Sequence, residues 1–374
     1  MTAALVERPS PTLDDEPEAV LAALRQAVPD IQAAAPADDV ARAFPDGALA
    51  RLRRIGALRA FADGRATPLA LMEALRLTGR ANLSLGRIFE GHVNGAALIG
   101  AYGDDAQRAR LAVDLAEGRT FGVWNTEPAP GVVIVEGAGA SPRLDGCKSF
   151  ATGAGRIDRA IITARLAQGG RQMVIIDARD PARADPSAWR VRGMRATVSG
   201  TYDLTGLAAG AAARLGAPGD YEREPRFSAG AWRFTAVQLG GVERILGLLR
   251  DHLVASPAGE DPIHRARFGE ALRAARSAYL WVREAAQRAE APDAGPAEIA
   301  FVLMTRGVVE RAGLDAMEAA ARSVGTRAFF EDHPLDQACR DLALYLRQPV
   351  PDQALDRASA AFLRADCWRD DPLW

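Results

Sequence analysis

Lysine is nearly missing from this sequence. Of its 46 basic residues only Lys148 is a lysine, and the rest are arginine. Such a skew reflects GC-rich coding rather than a binding function. An excess of one charge is missing too: 46 basic residues stand against 48 acidic ones, for a net charge of -2. That excludes a broad electrostatic footprint for nucleic acid or an anionic membrane as the main design. The three cysteines (Cys147, Cys339 and Cys367) lie far apart. They form neither a disulfide framework nor a CxxC pair, as expected in a reducing cytoplasm. No run reaches the roughly 18 apolar residues that a spanning helix needs. The N-terminal segment lacks a basic start followed by an apolar stretch, so neither a signal peptide nor a membrane anchor is predicted. Its proline and acidic content predicts a disordered tail over residues 1–15.

The chemical motifs that are absent narrow the field further. No GxxxxGK[ST] phosphate loop occurs, and no GxGxxG opens a helix after a strand. There is no GxSxG nucleophile elbow and no HExxH. The four histidines (His92, His252, His264 and His333) are scattered, too sparse for a metal site. The commonest hydrolases, kinases and zinc enzymes are therefore disfavoured, and no metal is expected.

What is present is a chain of 374 residues, 48% apolar and 25% charged, the balance of a globular enzyme with more than one packed unit. Its hydrophobic period changes twice. Residues 16–118 read as an N-terminal helical domain. There Thr67 and Pro68 look like an N-cap and first helical residue, followed by Leu69, Met72 and Leu75 at helix spacing. A more buried helix is predicted from Asn82 to Tyr102, with Gly103 as its stop, and a short amphipathic one from Asp104 to Glu117. Residues 119–215 read as a middle β domain. Its short aliphatic runs are Val132–Val135, Arg159–Leu166 and Gln172–Asp177, continued by Trp189–Arg195 and Ser199–Leu207. Residues 226–374 read as a C-terminal four-helix-type bundle. Val237, Gly241, Ile245 and Leu248 form one stripe, and Phe268, Leu272, Ala275, Tyr279, Val282 and Ala286 form another. Pro292–Pro296 breaks the chain before a helix over about 297–323, and a last helix is predicted to start after Asp352. The fold class is therefore α+β.

Several segments in this order carry a resemblance. Gly103–Gln107 and Glu117-Gly118 lead into Trp124–Pro128 (WNTEP), then Leu144–Gly153 (LDGCKSFATG) and Arg192–Arg195 (RGMR). Leu239–Glu243, Ser323–Gly325, Pro334 and Cys339–Asp341 follow. Together they resemble the acyl-CoA dehydrogenase family of flavoproteins, over about Arg51 to Leu363. The resemblance implies FAD, or FMN in its place, and a small-molecule substrate. It implies a homodimer or homotetramer in the cytoplasm, served by a flavin reductase or an electron-transfer flavoprotein, with neither nucleic acid nor membrane as partner. A flavin needs an aromatic or apolar wall and a few donors and acceptors at its edge. The resemblance puts Thr126 and Thr152 at the reactive edge, Phe150 against the ring and Trp124 in the same segment. Without it, the threonines read as strand caps and the aromatics as core. Gly325 and Arg322 match positions that help a neighbouring subunit hold the cofactor's phosphates.

The departures bear on mechanism. The family's GAGSD run is replaced by Ala129–Val133. Its RxxFG segment has no counterpart in Val254–Pro262, and Arg267–Gly269 lies later, where packing is expected. Acyl-CoA dehydrogenases use a glutamate base, yet Pro349 falls at that position, and no acid occurs at the alternative site near Gly230-Ala231. Asp352 reads as a helix N-cap. The resemblance therefore implies a flavin-dependent oxidoreductase working without that glutamate. A monooxygenase fed with reduced flavin, and a non-catalytic member that binds a ligand or partner, are the alternatives. His92, on the buried second helix, is the candidate catalytic residue, since a histidine there could donate or accept a proton near neutral pH. A lone helical histidine is otherwise a satisfied core residue.

Overall fold

The computed structural model describes residues 16–137, 140–348 and 350–365. The predicted tail over 1–15, Pro349, Cys367 and the end of the C-terminal bundle lie outside the described residues. Six helices come first: α1 (Pro17–Ala41), α2 (Asp46–Arg54), α3 (Ala57–Ala60), α4 (Pro68–Ala81), α5 (Leu83–Tyr102) and α6 (Asp105–Ala116). Nine strands follow: β1 (Phe121–Trp124), β2 (Val133–Gly137), β3 (Ala140–Asp145), β4 (Cys147–Ala151), β5 (Arg159–Arg165), β6 (Arg171–Asp177), β7 (Ala184–Asp185), β8 (Gly200–Asp203) and β9 (Arg214–Leu215). Six more helices close the described chain: α7 (Arg226–Ala229), α8 (Trp232–Val254), α9 (Pro262–Ala289), α10 (Pro296–Val324), α11 (Pro334–Tyr345) and α12 (Pro351–Arg364).

Local chemistry sets the helix starts. Thr67 Oγ1 accepts from the Ala70 amide at 3.1 Å and Asn82 Oδ1 from that of Leu85 at 3.2 Å, each satisfying an orphan donor of a first turn. Asp104 and Gln107 form a reciprocal capping box at the start of α6. Asp352 is not a cap: it sits exposed in the first turn of α12, which Val350 precedes.

The strands form two sheets. One runs β3-β2-β5-β6-β9, with β1 added parallel to β5; the other runs β4-β8-β7. The predicted strand over Trp189–Arg195 is absent, because that segment makes a docking turn instead. Gly193 presses so closely on α11 that a Cβ there would lie 2.0 Å from the Arg340 carbonyl oxygen. Met194 turns through a positive φ of 54° and donates its amide to the Asp341 carboxylate. Arg340 reaches back to the Arg192 carbonyl and to Asp39 of α1. Two sequence landmarks, RGMR and Cys339–Asp341, thus meet as the joint between the β insert and the helices.

Helix α8 is the axis of the molecule, packed on α4, α9, α10 and α11. It crosses α4 at backbone contact: a Cβ on Gly240 would lie 2.1 Å from the Arg76 carbonyl oxygen, and one on Gly79 2.2 Å from that of Val237. The core face of α9 differs from the predicted stripe. Ala271, Ala275, Ala278, Val282, Ala285 and Ala286 are buried, while Leu272 is 49% exposed. Small residues let α9 lie close to its neighbours, while Phe268 and Tyr279 of the predicted stripe pack half-buried at the edge of that face. No described helix is long and apolar enough to cross a membrane.

Candidate functional site

The open face of the β insert is built where β1 and β4 end side by side. In β4 the pairing with β8 shifts register between Lys148 and Ala151, and within that irregularity Phe150 takes a positive φ of 51°. A bulge re-aims side chains, and a bulky residue in the left-handed region is strained. Here the result is a phenyl ring that is 58% exposed. It meets Trp189 edge to face at 5.9 Å, and the Trp189 indole is itself fixed by donating to the Met194 carbonyl at 3.0 Å. Thr126 is exposed beside β4, and its carbonyl accepts from the Ser149 amide at 3.0 Å.

Trp124 is not part of the open wall. It is 1% exposed, its ring lies 5.1 Å from that of Tyr202, and its indole donates to the Thr152 carbonyl at 3.0 Å. Its contribution is to pin Thr152 from behind. The Thr152 hydroxyl contacts Ser199 Oγ at 3.0 Å. Thr152 also borders a narrow niche of about 10 Å³, lined in addition by Arg87, Gly91 and Gly122, room for about one water-sized group. Arg87 pairs with Glu90, which Asn94 also contacts.

Behind Thr126 lies a cluster that the sequence reading did not single out as a site. Lys148 is fully buried. Its ammonium donates to the Asn125 carbonyl at 3.1 Å and to Thr163 Oγ1 at 3.3 Å, and it pairs with Glu127. Thr163 Oγ1 donates to Asn125 Oδ1 at 2.6 Å and accepts from the Arg171 guanidinium at 2.6 Å. Burial lowers the Lys148 pKa to about 8, with Glu127 opposing the fall. The residues on both sides of Thr126 are thus clamped from the rear. The signal was in the composition, since this is the one lysine the chain kept.

His92 corrects the catalytic expectation. It is fully buried between the rings of Phe89 and Phe121. Both ring nitrogens are engaged: Nε2 with the Leu58 carbonyl at 2.6 Å, and Nδ1 with the Phe121 amide at 3.2 Å. The first contact requires Nε2–H and the second a bare Nδ1, which fixes a neutral tautomer. Burial lowers its pKa to about 4. It joins α3, α5 and β1 and has no free atom for chemistry. Asp341 is the buried carboxyl with the most raised pKa, pushed up by burial to about 7, but it is spent on the Met194 turn.

Arg322 and Gly325 are not brought to this face. They lie at the C-terminal end of α10, where Arg322 is exposed and pairs with Glu318 at 2.5 Å, and Gly325 has a positive φ of 72°. No group of three or more potential metal ligands comes together among the described residues. Chemically, the face is an exposed aromatic plane with hydroxyls at its margin and a dry polar backing, suited to a flat heteroaromatic ligand.

Comparison with known proteins agrees with this architecture. Residues 224–346 match the family model "Acyl-CoA dehydrogenase, C-terminal domain". FMN-bound TdsC from Paenibacillus sp. A11-2, elsewhere described as a dibenzothiophene monooxygenase, superposes with a TM-score of 0.82 at 21% identity, covering 92% of this chain and 97% of that one. MsuC, a methanesulfinate monooxygenase from Pseudomonas fluorescens, gives 0.80 at 18% identity, covering 92% and 96%. KijD3, in complex with FMN and a dTDP-linked amino keto sugar, gives 0.82 at 18%, covering 95% of each chain. No curated protein sequence matches the chain. The chain thus has the acyl-CoA dehydrogenase fold, and residues 224–346 match the model of that family's C-terminal domain.

Proposed function

We propose that this protein is a flavin-dependent oxidoreductase that lays FAD, or FMN in its place, on the face formed by Phe150, Thr126 and Thr152. The observation that carries the reading is Phe150: an aromatic ring held outward by a left-handed backbone, with hydroxyls beside it and a buried clamp behind. Strain of that kind is kept where it serves a site. The flavin would supply the redox chemistry. Phe150 would hold its ring, Thr126 and Thr152 would hydrogen-bond it, and the Lys148 cluster would keep the Thr126 segment rigid and dry. Arg322 and Gly325 in this reading take phosphates across a homodimer or homotetramer in the cytoplasm. Titration of the purified chain with FAD and FMN, followed by flavin fluorescence, is expected to show saturable binding that Phe150→Ala weakens. Absence of binding to either flavin overturns the reading.

Oxygenation is favoured over desaturation of an acyl thioester by a specific observation. No carboxylate stands at Gly230-Ala231, Asp352 is exposed on α12, and Asp341 is committed to a backbone amide. Removal of an α-proton needs a free base in a dry pocket. Two fold neighbours, TdsC and MsuC, are monooxygenases. A flavin reductase is then the expected partner, in place of an electron-transfer flavoprotein. Bleaching of the bound flavin by an acyl-CoA under anaerobic conditions would reverse this preference.

A further inference from the structure

The Thr152 hydroxyl is the end of a chain of three. Thr152 Oγ1 lies 3.0 Å from Ser199 Oγ, Ser199 Oγ lies 2.8 Å from Thr197 Oγ1, and Thr197 Oγ1 lies 2.8 Å from the Met194 carbonyl oxygen. Ser199 and Thr197 are buried, at 5% and 1% exposure, so bulk water does not scramble the order. Each hydroxyl has one proton and two lone pairs, and a carbonyl oxygen only accepts. Thr197 therefore gives its proton to Met194. Ser199 must then donate to Thr197, which leaves it only lone pairs for Thr152. Thr152 must in turn donate to Ser199. Its own proton is committed inward, and what it offers at the open side, where it borders the niche beside Arg87, is a lone pair. The Met194 end is fixed as well, because its carbonyl also receives the Trp189 indole and its amide is held by Asp341.

We infer that the Ser199–Thr197–Met194 relay locks Thr152 as a hydrogen-bond acceptor, so that the site selects a ligand edge carrying N–H. Resting on the flavin reading, this means selection of the reduced ring. Reduced flavin carries N–H at the central-ring nitrogen that in the oxidised ring is a bare acceptor. Two acceptors facing each other repel, whereas an acceptor facing N–H forms a hydrogen bond. Ser199 and Thr197 act as positioning residues through Thr152. The protein would then take up reduced flavin in preference to oxidised flavin, as an enzyme supplied by a separate reductase requires.

The test is equilibrium binding of the full-length chain to oxidised and to anaerobically reduced FMN and FAD, with no turnover measured. The wild type is expected to bind the reduced form at least about tenfold tighter, equivalent to a rise of about 30 mV in the two-electron potential of the bound flavin. Ser199→Ala removes the inward acceptor and frees the Thr152 proton. It is expected to bind oxidised flavin more tightly than the wild type and to bring the ratio close to one. A gain of affinity for one redox form is not what structural damage produces. Thr152→Val should weaken the reduced form and leave the oxidised form bound no less tightly, with circular dichroism confirming the fold of each variant. Wild-type binding of oxidised flavin as tight as reduced, or a ratio that Ser199→Ala leaves unchanged, overturns the relay while the flavin reading stands. Binding of neither form overturns both.

Discussion

The crossing of α4 and α8 and the open face of the β insert are built on opposite rules. At the crossing, Gly79 and Gly240 bring two backbones so close that even a methyl group has no place. At the face, a phenyl ring stands more than half exposed on a strained backbone while a lysine is buried beneath it. One region spends its sequence on contact, the other on holding a surface open. The difference separates stability from function: the crossing should tolerate no added atom, and the face should tolerate loss of its outer side chains.

The largest expected effect tests the first half. Gly240→Val places a branched side chain against the Arg76 carbonyl, and a loss of about 3 kcal/mol or more in urea unfolding is expected. Near-normal stability would show that the helices can separate freely. His92 tests which side α5 belongs to. With a folded pKa of about 4 against an ordinary value of 6.5, His92 is neutral in both states above pH 6.5. As pH falls below that, the unfolded chain takes up a proton that the folded one refuses. Stability should fall between pH 6.5 and 4 by about 3 kcal/mol on this account. Asp341, raised to about 7, works against it in that window, so the measurement is the difference between wild type and His92→Asn. A variant with the same pH profile as wild type would show that His92 is not held neutral by the fold.

Phe150→Ala should leave unfolding stability within about 0.5 kcal/mol, as for an exposed position, and cost roughly tenfold in flavin affinity through lost stacking. A large loss of stability with unchanged affinity would make Phe150 a packing residue. Smallest of all, Arg322→Ala should change monomer stability by less than about 0.5 kcal/mol, since its ion pair is exposed. Any effect on flavin binding should appear only in the oligomer, as sedimentation would show.

Much of this architecture was legible in the sequence. Thr67 announced one helix through cap chemistry, which is local and so can be read from neighbours in the chain, and the helices read from Asn82 and Asp104 proved to start on caps as well. The order of helical, strand and helical periods placed the β insert for the same reason. The α9 stripe held at Ala275, Val282 and Ala286 but not at Leu272, because large apolar residues carry the periodic signal while much of the contact is made by alanines whose role depends on how close another helix comes. Trp189–Arg195 looked like a strand until Gly193 and Met194 were seen to serve α11, about 150 residues further on in sequence. For the site, the sequence could name Phe150 and Thr152 by resemblance. It could not show that Trp124 faces inward or that His92 has both nitrogens occupied. The Thr152–Ser199–Thr197 chain joins the end of β4, the start of β8 and the turn before it, and its sense of direction exists only once they are assembled.

The burial of Lys148 has a practical consequence. Because it is the chain's only lysine, the folded chain shows amine-reactive reagents no lysine side chain. A label can reach Lys148 only when the β insert opens. The mass shift of Lys148 labelling thus reports that opening molecule by molecule.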